Sequence, residues 1–367
     1  MNLTLDEIEK IPFVFIVGRG RSGTTLLQNI LDANENVLMP IESRLIIYLK
    51  QKYFKKEKWT KSDILTFIED IYLDKEFKKY WKIKKGLLRE QFLSIPIKKI
   101  NFNLLCKIIY LNYESPYKKS QIELLGDKNP TYSIFVKDLL EVFPDAKFIH
   151  LIRDYRDNVL SNVNVIKTES IPIAAHGWVA YNQEIEKVKE KNPTQFLTIK
   201  YEDLVISPDE IAKKICNFLT LDYHPEMLQF NKVIEKKLES KTFESTKEMT
   251  DFHPNLIKPI NTNQIKKWET AFTKKEVQLI EFIAGDFGKK YGYEKTQPKS
   301  TSTRLKIKAF SSLIRHMINY KIITLYYKLP QKLRELMSSF SKFIFKTFKY
   351  TNYFNSADFR YDESNNK

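Results

Sequence analysis

Phe13-Val-Phe-Ile-Val-Gly18-Arg-Gly20-Arg21-Ser22-Gly23-Thr24-Thr25-Leu26-Leu27 is the stretch that decides the fold. Five consecutive apolar residues suit a strand covered on both faces, as in a parallel sheet. Gly18, Gly20 and Gly23 let the backbone turn tightly and bring successive N–H groups toward one point. The helix predicted next, from Ser22 to Ala33, presents its positive dipole end and its first-turn N–H groups there. Such a turn binds phosphate or sulfate. The spacing from Gly18 to Gly23 is that of a nucleotide P-loop, yet Thr24 stands where that motif has Lys. Arg21 is the nearby cation expected to replace it.

Working outward, strands and helices alternate. Asn36–Met39 reads as a short strand with Pro40–Arg44 as the loop at its carboxyl end. Residues 45–120 are Lys-rich with apolar residues at helical spacing, and are predicted to be a helical insertion. Ile122–Leu125 is expected as a strand running into the loop Gly126-Asp127-Lys128-Asn129-Pro130, followed by a helix over 131–142. Lys147–Ile152 and Phe196–Tyr201 are further strands, and helices are predicted over 157–166, 178–189, 208–219 and 273–290, with 240–268 as a long loop. This pattern predicts an α/β protein: a P-loop-like three-layer parallel sheet flanked by helices. Residues 1–298 would form this domain and 299–367 a basic, helical C-terminal extension.

Composition narrows the class. The 367 residues are 43% hydrophobic and 13% aromatic, as in a folded globular protein. Cys106 and Cys216, the two cysteines, are expected to be buried reduced thiols. With a polar N-terminus and no apolar run of about 18 residues, the expected location is cytoplasmic. The net charge of +16 is concentrated in residues 299–350, where twelve Lys or Arg face the single acid Glu335. The rest is only mildly basic, so nucleic acid is not the expected partner. Within the extension, apolar residues keep helical spacing from Phe310 to Leu325 and again from Leu333 to Phe348. Two readings stay open: helices packing on the body, or basic amphipathic helices on an anionic membrane surface, here the inner face. The five His residues show no metal-ligand spacing, so no metal is expected.

In an open parallel sheet the ligand sits beyond the carboxyl ends of the strands. The loops there carry Arg21, Thr24, Thr25, Glu42, Arg44, Lys128, Arg153 and Ser161. Several cations with one carboxylate suit transfer from a polyanionic donor to an acceptor that must lose a proton.

With these residues in view, Arg21-Ser22-Gly23-Thr24-Thr25 resembles the 5′-phosphosulfate loop of sulfotransferases that use 3′-phosphoadenosine-5′-phosphosulfate (PAPS). Ile152-Arg153-Asp-Tyr-Arg-Asp157 with Ser161 resembles their 3′-phosphate motif, in which the Arg and the Ser hold that phosphate. The likeness is nearest to tyrosylprotein sulfotransferases. It implies Glu42 of Glu42-Ser43-Arg44 as the base, Arg44 on the substrate side, and Lys128 of Asp127-Lys128-Asn129-Pro130 as the catalytic lysine. It also implies nucleotide contacts from Tyr201 of Tyr201-Glu-Asp-Leu-Val205 and from Lys258, Asn261 and Lys267 of the late loop. The family's transition-state Ser would fall near Phe252, which is not a Ser, and neither the family's disulfides nor its membrane anchor is expected here. The resemblance implies the sulfotransferase fold, PAPS as donor, no metal, and a hydroxyl acceptor on a carbohydrate, lipid, metabolite or protein tyrosine. Competing readings are a P-loop kinase-like ATP phosphotransferase, and a non-catalytic membrane- or partner-binding protein on a nucleotide-binding fold. The oligomeric state is not legible.

Overall fold

The computed structural model describes residues 3–74, 77–165, 169–239, 254–296 and 302–330, with Leu333, Arg334 and Met337. The family Ser position near Phe252, and the second predicted tail helix apart from those three residues, lie outside them. The chain divides into two units. The first comprises Met1–Gly18, Gly23–Ile152 and Ile185–Thr262; the second comprises Arg19–Ser22, Arg153–Glu184 and Asn263–Lys367.

The first unit holds a five-stranded sheet: β1 (Phe13–Val17), β2 (Val37–Leu38), β3 (Leu124–Lys128), β4 (Lys147–Ile152) and β5 (Phe196–Lys200). Its order is β2-β3-β1-β4-β5 and every pairing is parallel. All five residues of β1 are buried. Their alternation assigns them to two layers, because successive side chains leave opposite faces of a strand. Val14 and Ile16 join a cluster with Leu27, Ile30 and Leu31 of the helix Thr24–Asp32. Phe13 and Phe15 stack on the other side with Phe143 and Phe148. The register aligns Phe15, Phe148 and Phe196 in one row across β1, β4 and β5. Their rings stack at 5.4 Å and 4.7 Å. Each such ring, taken out of water, stabilises by about 1.5–3 kcal/mol.

Within the segment predicted as a helical insertion, helices lie at Leu45–Tyr53, Lys61–Ile71, Lys85–Ser94 and Phe102–Leu111, and residues 112–120 carry no helix. Thr60 and Asp63 close a capping box at the second of these, and Tyr53, Trp59, Phe67, Phe92 and Phe102 form its aromatic core.

Several elements differ from expectation: the helix predicted over 178–189 runs from Ile171 to Lys189, and the helix Phe230–Glu239 has no counterpart in the sequence reading. Strand β3 extends through Gly126, Asp127 and Lys128, which the sequence reads as a turn. The helix predicted over 131–142 is a 3-10 segment, Pro130–Ile134, followed by an α-helix, Val136–Val142. Tyr201 opens a helix, Tyr201–Ile206, instead of ending a strand. Cys106 and Cys216 are both free and buried, and burial pushes both thiols up.

The second unit is built on the helices Tyr155–Val165, Lys274–Gly288 and Thr303–Lys328. Arg156 ties its interior together. The guanidinium bonds Asp154 at 2.7 Å and Glu281 at 3.0 Å and lies over the Trp268 ring at 4.2 Å.

Candidate active site

Residues 18–25 are divided between the units: Gly18 and Gly23–Thr25 belong to the first, Arg19–Ser22 to the second.

In the first unit, the end of β1 is fixed by Ser133, whose hydroxyl accepts from the Gly18 N–H at 2.8 Å and donates to its carbonyl at 2.9 Å. A Cβ on Gly18 would stand 2.3 Å from the Leu151 carbonyl oxygen, so only glycine fits. Gly23, with φ +91°, precedes the Thr24 helix as its N-cap, and no side chain caps that helix. An uncapped helix start behind a left-handed glycine is the local construction of an anion site. The buried Tyr201 ring covers Gly23 so closely that a Cβ there would meet it at 2.5 Å.

At the ends of the neighbouring strands stand the carboxylate and ammonium predicted for chemistry. The register pairs Ile16 with Lys128, one residue before β1 ends. Lys128 Nζ donates to the Glu42 carboxylate and, at 3.2 Å, to Thr25 Oγ1. Its side chain is 2% exposed, whereas that of Glu42 is 38% exposed. One partner is thus sealed and the other open to an incoming molecule. The Glu42 loop is held along its backbone: Gln28 donates to the Pro40 carbonyl at 2.6 Å, Trp81 to Ile41 at 3.1 Å and Tyr132 to Ser43 at 2.9 Å. Arg44 is buried and its guanidinium donates to the Tyr48 hydroxyl at 3.3 Å. Beside Lys128, the buried Asp127 accepts from Tyr110, and burial pushes its pKa up to about 7. Lys258 is exposed, and Asn261 donates to the Pro259 carbonyl at 3.0 Å. The Lys258 N–H donates to the Asn255 carbonyl at 3.1 Å.

In the second unit, Arg21 has φ +71°, a left-handed conformation that costs a non-glycine residue on the order of 1 kcal/mol. The helix Tyr155–Val165 holds it there. Arg21 Nε donates to Ser161 Oγ at 3.2 Å, and Arg153 donates to the Arg21 carbonyl at 3.1 Å. Arg21, Arg153 and Ser161, all predicted donor ligands, are thus brought together. Asn158 donates to the Gly20 carbonyl at 2.9 Å and to Ser22 Oγ at 3.0 Å, and Asn162 donates to Gly20 at 3.2 Å. These two asparagines escape a sequence reading. Their only signal is the i, i+4 spacing, which sets both on one helical face. Asp157 accepts from the N–H groups of Lys266 at 2.7 Å and Trp268 at 3.0 Å, and Arg153 donates to the Gln264 carbonyl at 2.6 Å. Within this unit one helix therefore positions both Gly20–Ser22 and Lys266–Trp268. Lys267 is exposed at the start of the Trp268–Ala271 helix.

A parallel sheet whose strand ends carry an uncapped, glycine-turned helix start and a carboxylate–ammonium pair defines a group-transfer enzyme acting on an anionic donor. Residues 12–225 match the family model described as "Sulfotransferase family". That is more than half of the chain, and the chain belongs to the sulfotransferase family. A protein-tyrosine sulfotransferase of Drosophila melanogaster is 24% identical over 270 residues, covering 71% of this chain and 47% of that protein. Protein-tyrosine sulfotransferase A of Caenorhabditis elegans is 24% identical over 287 residues, covering 74% of this chain and 65% of that protein. The chain thus spans about half of the first relative and 65% of the second. Among solved structures, the sulfotransferase domain from the curacin biosynthetic pathway is 23% identical with a TM-score of 0.48, covering 74% of this chain and 96% of that one.

Proposed function

We propose that this enzyme moves the sulfuryl group of PAPS to a hydroxyl acceptor, with Glu42 and Lys128 as its catalytic pair. The observation that carries the reading is the buried Lys128 ammonium, bonded both to the half-open Glu42 carboxylate and to Thr25 at the helix start. Arg21, the N–H groups at Gly23–Thr25 and the hydroxyls of Ser22, Thr24 and Thr25 would hold the 5′-phosphosulfate. Arg153 and Ser161 would hold the 3′-phosphate. Tyr201, Lys258, Asn261 and Lys267 are proposed as further nucleotide contacts, and Arg44 as an acceptor contact.

Glu42 takes the acceptor proton as the acceptor oxygen bonds to sulfur. The bond from sulfur to the 5′-phosphate oxygen breaks, and its electron pair leaves on that oxygen, where Lys128 neutralises the growing charge. The products are the sulfate ester and 3′,5′-ADP. The relatives' names support a tyrosyl hydroxyl as the first acceptor to test. Radiolabelled sulfate transfer from PAPS to a tyrosyl peptide, a simple phenol, a hexose and a glycolipid tests the reading. Thermal stabilisation by 3′,5′-ADP is expected alongside it. Stronger stabilisation by ATP–Mg2+ than by 3′,5′-ADP would instead identify a phosphotransferase.

A further inference from the structure

The helix Thr303–Lys328 is arranged against the usual rule for a surface helix, in which the apolar stripe faces inward. Its buried face carries Ala309, Ser312, His316, Ile323, Tyr326 and Tyr327. That face is fixed within its own unit: the His176 ring meets the Ala309 carbonyl at 3.0 Å, and His316 stacks on His176 at 6.1 Å. Ile307, Phe310, Ile314, Met317, Ile318 and Leu325 are 47–65% exposed. At about 100° per residue these six fall in one stripe, roughly opposite the buried set. The same helix contains Arg304, Lys306, Lys308, Arg315, Lys321 and Lys328, all exposed, and no Asp or Glu. Lys321 and Lys328 lie in line with the stripe, and the other four flank it. Soluble surfaces ordinarily intersperse both signs of charge and keep large apolar side chains apart.

We propose that this outward face docks on an anionic lipid surface. The helix lies in the interfacial plane, with its apolar stripe at the boundary between headgroups and acyl chains and its cations at the level of the lipid phosphates. Charge decides the occupant. A second copy seated stripe on stripe would set like charges against like, which is repulsive. A bilayer rich in anionic headgroups satisfies the apolar stripe and the cations together. Among the described residues no helix is long and apolar enough to cross a membrane, so this contact lies on the surface. The sequence continues in the same sense, with Lys332, Lys342, Lys346 and Lys349 against Glu335.

The test is co-sedimentation of the full chain with vesicles of phosphatidylcholine alone or of equimolar phosphatidylcholine and phosphatidylglycerol. Binding to the anionic vesicles only, weakening as salt screens the cations, is expected. Phe310→Ser with Ile314→Ser should weaken it by about tenfold or more, and Lys321→Gln by about fivefold. Because these side chains are exposed, the melting temperature and sulfuryl transfer to a soluble acceptor should not change. Equal binding to zwitterionic vesicles, or unchanged binding by the double variant, overturns the proposal. So does a dimer in analytical ultracentrifugation that the double variant dissolves while anionic vesicles bind neither form.

Discussion

Glu42→Ala and Lys128→Met remove opposite ends of one ion pair and should have unequal effects on stability. Lys128 is sealed (2% exposed), so losing Glu42 leaves an ammonium where water scarcely reaches. Removing one partner of a buried pair costs about 3–5 kcal/mol. Thr25 Oγ1, at 3.2 Å, remains as an acceptor and moves the expected cost to the lower end of that range. The reverse change is mild. Met keeps the apolar stem of Lys128, and Glu42, already 38% exposed, recovers hydration; the loss should be about 0–1 kcal/mol. A gap of about 2–4 kcal/mol corresponds to roughly 4–16 °C in melting temperature for a unit of this size.

Activity should not follow stability. Loss of the base lowers transfer by about 10²–10⁴-fold, and loss of leaving-group stabilisation by about 10²–10³-fold. The double variant should lose much less than the product of the two, because the groups act as a unit. Urea unfolding of the three variants, paired with labelled-sulfate transfer, measures both quantities. Equal destabilisation by the two single changes, or a larger cost from Lys128→Met, would show that the assignment of the buried partner is wrong.

Gly23→Ala places a Cβ 2.5 Å from the Tyr201 ring on a backbone at φ +91°; a loss of about 1–3 kcal/mol is expected in chemical denaturation. Asn158→Ala removes the bonds to the Gly20 carbonyl and Ser22, each worth about 1 kcal/mol, and should weaken 3′,5′-ADP binding roughly tenfold by calorimetry. Asp127 has its folded pKa raised to about 7 from 3.8, chiefly by burial. Between those values the native state keeps a proton that the unfolded chain has released, so stability falls as pH rises through this window. Asp127→Asn should flatten that slope in melting curves between pH 4 and 7, by on the order of 4 kcal/mol at most.

Much of the fold is legible in the sequence because parallel strands buried on both faces become largely apolar runs, continuous in Phe13–Val17 and broken only by His150 in Phe148–Ile152. Strand β3 is not legible to its end. Gly126-Asp127-Lys128 is good turn chemistry, and only tertiary partners let it lie buried in a sheet: Tyr110 on Asp127, Glu42 on Lys128. Arg21, Ser161 and Arg153 can be nominated as functional from their place after the strand ends and from the resemblance to the sulfotransferase motifs. Asn158 and Asn162 cannot, since their role is to bond loop carbonyls and nothing local demands it. The tail shows its helical period in sequence, but periodicity alone does not say which face turns inward. That is decided by His176 and its neighbours, over a hundred residues earlier.

The lysine absent after Gly23 has its physical explanation in the sheet register. Thr24 is 3% exposed, so the place a P-loop gives to Lys has no room for a long charged side chain. The cation bonded to the helix start comes from β3, where pairing of Ile16 with Lys128 sets an ammonium against Thr25 Oγ1. A lysine on the loop would follow the loop as it moves. One on a central strand, fixed by a carboxylate, is oriented before any donor arrives, which is the preorganisation that makes electrostatic catalysis effective. Arg21 is occupied differently, holding a strained backbone and bonding Ser161. Restoring the P-loop pattern should therefore not compensate for the strand lysine. Thr24→Lys in the Lys128→Met background is expected to destabilise the fold without raising sulfuryl transfer. Recovery of even a tenth of wild-type transfer in that double variant, about 1.4 kcal/mol short of full activity, would mean that the position of the cation matters less than its charge.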